Sequence, residues 1–571
     1  MKKIKNFPIR FGMMLVFVCG LSLTVNAANF TVDSTANTPD INTTDNICAD
    51  ENGRCTLRAA ILQANATVGA DSIDFDSTVF APAQTILLEG VALPQITENV
   101  TITGTSASSV IIDGGESRIF IIGPAATVSI SNLTVTNGYV GEGNGAGIFN
   151  EGNLTLNNVV VQNNTVNLGE GGGIYNATGI LNVLNSSIFD NTARGDFGTG
   201  AGISNSVGTV TITNTVVRNN TATGIEIGDG GGILSSGGTV TITDSTVRDN
   251  ESSGNGGGIA IFGGTLNVNR STVGSSTDGG SNRASNGGGI FNQNGTVNLT
   301  NSTISGNFAG NIGGGYYGFS DGGLTALNSD SSTIAFNVAV NGGGITVSSI
   351  IGLNSVATIN NTIISDNNAV RGPDVSDNNT LNIPGAINSI GYNIIENTSG
   401  ANVTPTIGDQ FNVDPLLLPL ANNGGSTQTH ALSNSPGAVS PAIDKGNSSE
   451  ATDQRGFMRP VDNPSIPPAT LGDNSDIGAF EVQIVTAAPV FIKGRVINEN
   501  GRGVSKASVI LTETDGTQRF TITNYFGYFR FENISVGQTV TVAAGSKKTR
   551  FTTLAVIVND NIQDLNLTIK P

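Results

Sequence analysis

Reactive side chains are sparse in this chain, and few of them share a rhythm. Arg218 and Arg248 stand 30 residues apart, each closing a Thr/Val-rich stretch, with Asp190, Asp244 and Asp249 close by in sequence. An Arg base beside an Asp-bound Ca²⁺ ion is the equipment for eliminative cleavage of an acidic polysaccharide. The same residues are read in preference as a solvated face on which Arg and Asp of neighbouring repeats pair. Glycosidic hydrolysis needs two carboxyl groups facing each other across a cleft. Asp229, Asp249 and Asp278 are available for it, and no spacing singles them out. His430 is the only histidine, with Ser426 and Ser433 nearby. No glycine-framed nucleophile elbow accompanies it, so a structural hydrogen-bonding role is expected. Asp444, Asp453, Arg455, Asp476 and Glu481 are read as ion pairs and turn caps in preference to a metal or carboxylate site. The Asp/Gly clusters fit neither the nonapeptide Ca²⁺ repeat nor an EF-hand loop. No catalytic, cofactor-binding or metal-binding residue is therefore assigned, although the acidity is compatible with Ca²⁺. Trp is absent. Tyr139, Tyr175, Tyr316 and Tyr317 are the rung tyrosines, most of them expected to pack against turns, which leaves few aromatic platforms for a sugar.

What positions these residues is a repeat. Gly-Gly-Gly-Ile or a close variant recurs, and its closing hydrophobe falls at 148, 174, 203, 233, 259, 290, 316 and 345. Periods of this length mark a solenoid. Each repeat carries a strand of alternating polar and apolar residues, such as Thr209–Ile212 and Thr239–Ile242, as expected of a sheet with one buried face. A recurring Asn follows at 164, 191, 220, 250, 307, 337 and 367, with one break at Ser276. Stacked coils explain the pattern. Leu, Ile and Val form ladders inside a tube, Asn amides bond along the axis at one corner, and Gly turns another corner. Coils of this size with three short strands predict an all-β right-handed parallel β-helix. Gly, Thr, Val and Asn exclude an α-solenoid on propensity.

The chain has 571 residues, 76 of them Gly, and a formal charge of −18. Scattered Lys and Arg in an acidic chain argue against nucleic-acid binding. Lys2, Lys3, Lys5 and Arg10 precede an apolar run, Phe11–Val25, and small residues end at Ala27. This reads as a secretory signal cleaved after Ala27, the run being short for a membrane span. Cys48 and Cys55 then remain as a pair, and export predicts a disulfide between them.

Thr56 is expected to cap a helix to about Ala66, with Leu57, Ala60, Ile61 and Ala64 on one face covering the first coil. The stretch Cys55–Asn65 resembles the CSLREA signature, with Thr56 for Ser and Ala59 for Glu. The likeness continues through Ile73–Phe75 and Ile86–Ile96. It implies an exported bacterial protein and no particular chemistry. The Gly-Gly-x-Ile and Phe-Asn elements at Gly147–Asn150 and Gly289–Asn292 are similar to repeats of polymorphic outer-membrane proteins, without the alternating barrel strands of an autotransporter. Farther on, Asn422–Gly425, Thr427–Leu432, Ser440–Asp444, Asp453–Gly456 and Asp476–Glu481 together resemble a choice-of-anchor Q domain, which implies surface display or secretion. Past Pro489, the segments Phe491–Val496, Ser508–Thr512, Phe520–Thr523, Tyr528–Phe531 and Thr539–Val542 read as strands of a small β-sandwich. Gly494–Val496 and Gly527–Phe531 resemble a carboxypeptidase regulatory-like domain, a non-catalytic accessory.

The expected organisation is a signal peptide (1–27), a CSLREA-type cap (28–98), the β-helix (99–410), an anchor-Q-type cap closing the helix end (411–484) and the sandwich (485–571). The expected role is non-catalytic: adhesion or display at the cell surface or outside it, with an extracellular polysaccharide or a cell-surface partner. A β-helix lyase or glycosidase and a passive coat protein are the alternatives. Specificity is expected on the loops that vary from coil to coil, Leu168–Glu170, Arg194–Thr199 and Glu226–Asp229.

Overall fold

The computed structural model describes residues 27–224, 228–275, 281–352, 354–377, 383–483, 490–499, 501–513, 516–534, 538–546, 549–558 and 561–568. The segment expected to be a signal lies outside them up to Ala27, as do Glu226, Ser276 and Asp278. Two compact units divide at Val482 and Gln483.

The larger unit is a parallel β-solenoid of about 11 turns over residues 71–395. Three sheets run the length of the tube. Sheet A contains Asn153–Asn157, Ile180–Leu184, Thr209–Thr213 and their equivalents; sheet B contains Val160–Gln162, Ser187–Phe189 and Val216–Arg218; sheet C contains Ile148–Asn150, Ile174–Asn176 and Ile203–Asn205. Successive rungs pair in parallel, Val210 over Val240 and Ile212 over Ile242 for example, with a register shift only at the last pair of sheet A, Ser355–Asn360 with Ala386–Gly391, and one short antiparallel pairing of Ile383–Pro384 in sheet C. Those side chains point inward and are fully buried, while Thr209, Thr211 and Thr213 alternate outward. The closing hydrophobes stack as expected, Ile148 on Ile174, Ile203, Ile233, Ile259, Ile290, Tyr316 and Ile345.

A rung holds one strand more than expected. Seven coils add a strand between the Asn corner and the glycines, forming sheet D from Tyr139–Glu142 to Phe308–Ile312. Ala146, Val166, Ala193, Ala201 and Ala222 make a small separate core beneath it. Sheet D explains the three glycines, as coil 230–232 illustrates. Gly230 has φ +66°, which a side chain resists. A Cβ on Gly231 would lie 2.4 Å from the Glu251 carbonyl oxygen of sheet D, and one on Gly232 would lie 2.6 Å from the Gly258 carbonyl oxygen of the next coil. The first glycine turns the chain, the second lets sheet D approach, and the third lets rungs stack.

The corner between sheets B and D is sealed by one amide ladder. Asn164, Asn191, Asn220, Asn250, Asn282, Asn307, Asn337 and Asn367 donate from Nδ2 to the next Oδ1 at 2.8–3.0 Å, and the last donates to Asp374. The same Oδ1 atoms accept the preceding rung's backbone N–H, as Asn220 Oδ1 does from Asn191 at 3.1 Å. The expected break at Ser276 is therefore not a break. That coil carries extra residues after Gly274, and Asn282 reaches the corner in their stead. Left-handed turns precede the ladder at Asn163, Asp190, Asn219 and Asp249, and others join sheet A to sheet B at Asn185, Asn214 and Asp244. Asn and Asp tolerate this conformation because their short side chains bond locally.

The tube begins before Asn99. Asn29–Val32 and Asp71–Phe75 are already in sheet A, and Gln84–Leu87 is in sheet B. A helix, Leu57–Ala66, covers their apolar edge. Thr56 Oγ1 accepts from the Ala59 N–H at 3.0 Å, and Leu57, Ala60, Ile61 and Ala64 join the main core. Cys48 and Cys55 form a disulfide with Cα atoms 5.0 Å apart. Inside its loop, the Arg54 N–H, first among several donors, holds the Asp50 carboxyl well below the usual carboxylate range.

The segment after Phe411 does not close the helix end. It returns along the outside of sheet B as a strap. Gln454, fully enclosed, accepts from Thr303 Oγ1 at 2.6 Å and donates to Thr272 Oγ1 at 3.0 Å, so it staples two rungs. The Gly478 N–H donates to the Asn361 carbonyl, and Leu432, Ile443, Ile477 and Phe480 pack on Ile363 and Ile394. The outward residues of sheet B change to suit it: Arg218 and Arg248 give way to Gly274, Ser305, Ala335 and Ser365 in the same column.

The smaller unit has a sheet of Val490–Ile497, Tyr528–Ile534 and Ile562–Thr568 and another of Gln518–Ile522, Ser508–Thr512, Gln538–Ser546 and Thr549–Val558. Residues of both sheets share one core. Thr549–Val558 and Ile562–Thr568 are strands in addition to those expected. Among the described residues no helix is long and apolar enough to cross a membrane.

Gly231→Ala should lower stability by about 2 kcal/mol or more, because the atoms in its way are backbone on both sides. Gly141→Ala, with open space around it, should be near neutral. Asn220→Ala should cost roughly 3 kcal/mol by leaving buried groups of both neighbouring rungs unbonded. Urea midpoints of the purified chains check all three.

Candidate functional site

The arginines singled out by their spacing do stack, Arg218 on Arg248 in sheet B. Each is already engaged. Arg218 lies over the Phe189 ring at 4.1 Å, Arg248 pairs with Asp249, and Arg270 binds Asp244 through two hydrogen bonds of 2.9 and 2.7 Å. Burial pushes the Asp249 carboxyl up, and Arg248 opposes this. Asp190, Asp244 and Asp249 occupy left-handed turns, a conformation Asn and Asp adopt readily, although Arg270, Ser331 and Phe336 take it in other coils. Among the described residues no three His, Cys, Asp or Glu side chains are arranged to hold a metal ion.

His430 is locked into the strap. Its Nδ1–H donates to the Leu418 carbonyl at 2.8 Å, which leaves Nε2 to accept from Ser305 Oγ at 2.8 Å, and Phe336 packs on the ring. The serine it meets is in sheet B, while Ser433 donates to the Ala438 carbonyl instead. Burial lowers the His430 pKa to about 4. A cavity of about 630 Å³ opens beside it, with Arg283, Phe308, Asp366 and Leu417 in its wall. The strap's acidic cluster resolves into caps and pairs. Arg459 and Glu481 bond at 2.9 Å with both side chains fully enclosed, Arg455 binds Asp453 and lies over Phe480 at 3.6 Å, and Asp444 accepts from the Asn463 N–H.

Aromatic residues prove more organised than a survey of Tyr and Trp indicates. The outward position of sheet C holds Phe149, Tyr175, Ser204, Leu234, Ala260, Phe291 and Tyr317 in one axial column. Phe149 stacks on Tyr175 at 5.4 Å, and Arg118 lies over Phe149 at 5.1 Å. Toward the other end, Phe262, Phe291, Tyr317 and Phe319 form a chain of ring contacts at 5.6–6.1 Å. Phe149, Tyr175, Phe262 and Phe319 remain partly exposed. The tyrosines differ in fate. Tyr175 and Tyr317 belong to this row, and Tyr139 is about one-third exposed. Tyr316 takes an inner ladder position instead of packing against a turn, its hydroxyl accepting from Asn292 at 3.0 Å. The signal that finds the row is the residue directly after each closing hydrophobe.

Between the two halves of the row lies a groove of about 240 Å³, lined by Glu170, Phe197, Thr199, Asp229, Leu234, Ser236 and Phe262. Residues of all three variable loops line it. Leu234 belongs to sheet C, and Phe197 stands 56% exposed. Glu170 Oε2 accepts from Ser204 Oγ at 2.7 Å, and Asp229 Oδ1 accepts from the Asn255 N–H at 2.6 Å and its side chain at 3.1 Å. Burial pushes the Asp229 carboxyl above its ordinary range. Asp249, the other described carboxylate weighed for glycosidic hydrolysis, is a sheet B turn residue and does not line this groove.

His430 carries a pH signature. Its folded pKa of about 4 is below the unfolded value of about 6.5, so the unfolded chain takes up the proton first on acidification. The stability tied to neutral His430 is intact above about pH 6.5 and is lost as pH falls toward 4. The excess stability of the parent over His430→Gln should shrink by up to about 3 kcal/mol across that window, as urea unfolding at stepped pH will read.

Two family models match the chain: a right handed beta helix region over residues 84–273 and a carboxypeptidase regulatory-like domain over residues 492–570. No curated protein matches it. The chain thus combines a right-handed β-helix region with a C-terminal carboxypeptidase regulatory-like domain.

Proposed function

We propose that this is an exported, non-catalytic protein that displays its β-helix at the cell surface or outside the cell and adheres to extracellular polysaccharide. The observation that carries the reading is the axial row of aromatic rings on sheet C with a groove at its middle. The partly exposed rings, Phe149 and Tyr175 on adjacent rungs to one side of the groove and Phe262 and Phe319 toward the other, offer a linear polymer several separate weak contacts. Three further features support export: the basic and apolar segment ending at Ala27, the disulfide between Cys48 and Cys55, and the resemblance of residues 28–98 and 411–484 to CSLREA and choice-of-anchor Q domains.

The chain lacking residues 1–27 should sediment with insoluble polysaccharide without releasing unsaturated or reducing ends, with Ca²⁺ present or absent. Turnover that Arg218→Ala or Arg248→Ala abolishes would overturn the non-catalytic reading in favour of a lyase. Fractionated cells should hold the processed chain at the surface or in the medium. A cytoplasmic pool of uncleaved chain would contradict export.

A further inference from the structure

We infer that the groove between Glu170 and Asp229 selects an uncharged oligosaccharide segment and rejects a polyuronate. This rests on the polysaccharide reading above and names the ligand class for one part of that surface.

The groove combines an apolar floor and walls, Leu234, Phe197 and Phe262, with acceptors of one sign. Glu170 and Asp229 occupy the same position of coils two rungs apart. The Gly171 N–H bonds to the Thr199 carbonyl and the Gly200 N–H bonds to the Asp229 carbonyl. Their backbones are therefore about 10 Å apart along the axis, a span for linked rings rather than a single sugar. One oxygen of each carboxylate is tied down, by Ser204 and by Asn255. The others, Glu170 Oε1 and Asp229 Oδ2, carry no hydrogen bond among the described residues, and neither is a buried orphan. Sugar hydroxyls are donors suited to such oxygens. A ligand carboxylate would instead face two like charges in a partly desolvated site.

Other charges on the bordering loop do not reverse this. Arg194 and Asp196 are both exposed and offset each other. Phe197, more than half exposed on that loop, is the ring a sugar face would meet. With Glu170 and Asp229 as its charged lining residues, the choice of ligand follows from the sign of the field.

Affinity electrophoresis at pH 7 of the chain lacking residues 1–27, through gels containing hydroxyethylcellulose, galactomannan or polygalacturonate, tests this. Retardation is expected in at least one uncharged gel and not in polygalacturonate. Phe197→Ala, a surface change that leaves folding intact, should weaken it about tenfold, and Glu170→Gln with Asp229→Asn should weaken it similarly. Retardation in an uncharged gel that both variants retain overturns this groove as the site while leaving polysaccharide adhesion standing. Parent retardation by polygalacturonate that equals or exceeds that by uncharged polymers overturns the ligand class alone. Mobility unchanged in every gel overturns both this inference and the adhesion reading.

Discussion

The amide ladder from Asn164 to Asp374 is the constraint on which the rest depends. An Asn side chain has one acceptor and two donor hydrogens, and at this corner all of them are used along the axis. The oxygen takes the preceding rung's backbone and side-chain N–H groups, and the nitrogen serves the following Asn and a carbonyl of the preceding coil. A fully enclosed amide left unbonded is costly. Each coil must therefore present its Asn at one height, whatever lies between. This is why the coil with extra residues after Gly274 still delivers Asn282 to the corner. Variation in length is pushed outward, into the segments that leave the ladder and return at the glycines.

That outward displacement also makes the surface. Sheet D and the loops beyond it sit on the side where the chain is least constrained, and the groove of Glu170, Phe197 and Asp229 is formed there. The sheet C column has the opposite origin. Its outward residues are fixed in position by the glycine corner and the inner Ile ladder, so whichever side chains occupy them align without further design. An aligned column and a variable rim thus lie on one flank.

Periodicity made most of this fold legible in advance. The closing hydrophobes, the alternating Thr/Val strands, the helix after Thr56 and the disulfide pair are all local patterns with one physical solution. The ladder is legible from spacing except at Asn282, where extra residues break the period. Sheet D escaped notice because its short strands, such as Thr192–Gly195, carry no alternation long enough to register. The strap's path was invisible for a different reason. Gln454, His430 and Arg459 find partners more than 100 residues away, and no local pattern encodes those pairings. The groove was anticipated as loops and not as chemistry. Phe197 and Phe262 lie in different coils with no shared motif, so their proximity belongs to the fold.

The strap alters how the array behaves as a linear chain of units. Stacked coils with only nearest-neighbour contacts can open anywhere, and coils can be added or removed with little penalty. Gln454, Arg459 and Gly478 bind coils from Thr272 to Asn361 into a single block, as a splint holds adjacent segments. In that block, adding or deleting a coil would shift every strap residue off its partner by a full rung. Among the described residues the coils before Arg270 have no such splint. Growth and shortening of this protein over evolutionary time, like its local breathing, should therefore concentrate in its first half, where the groove lies.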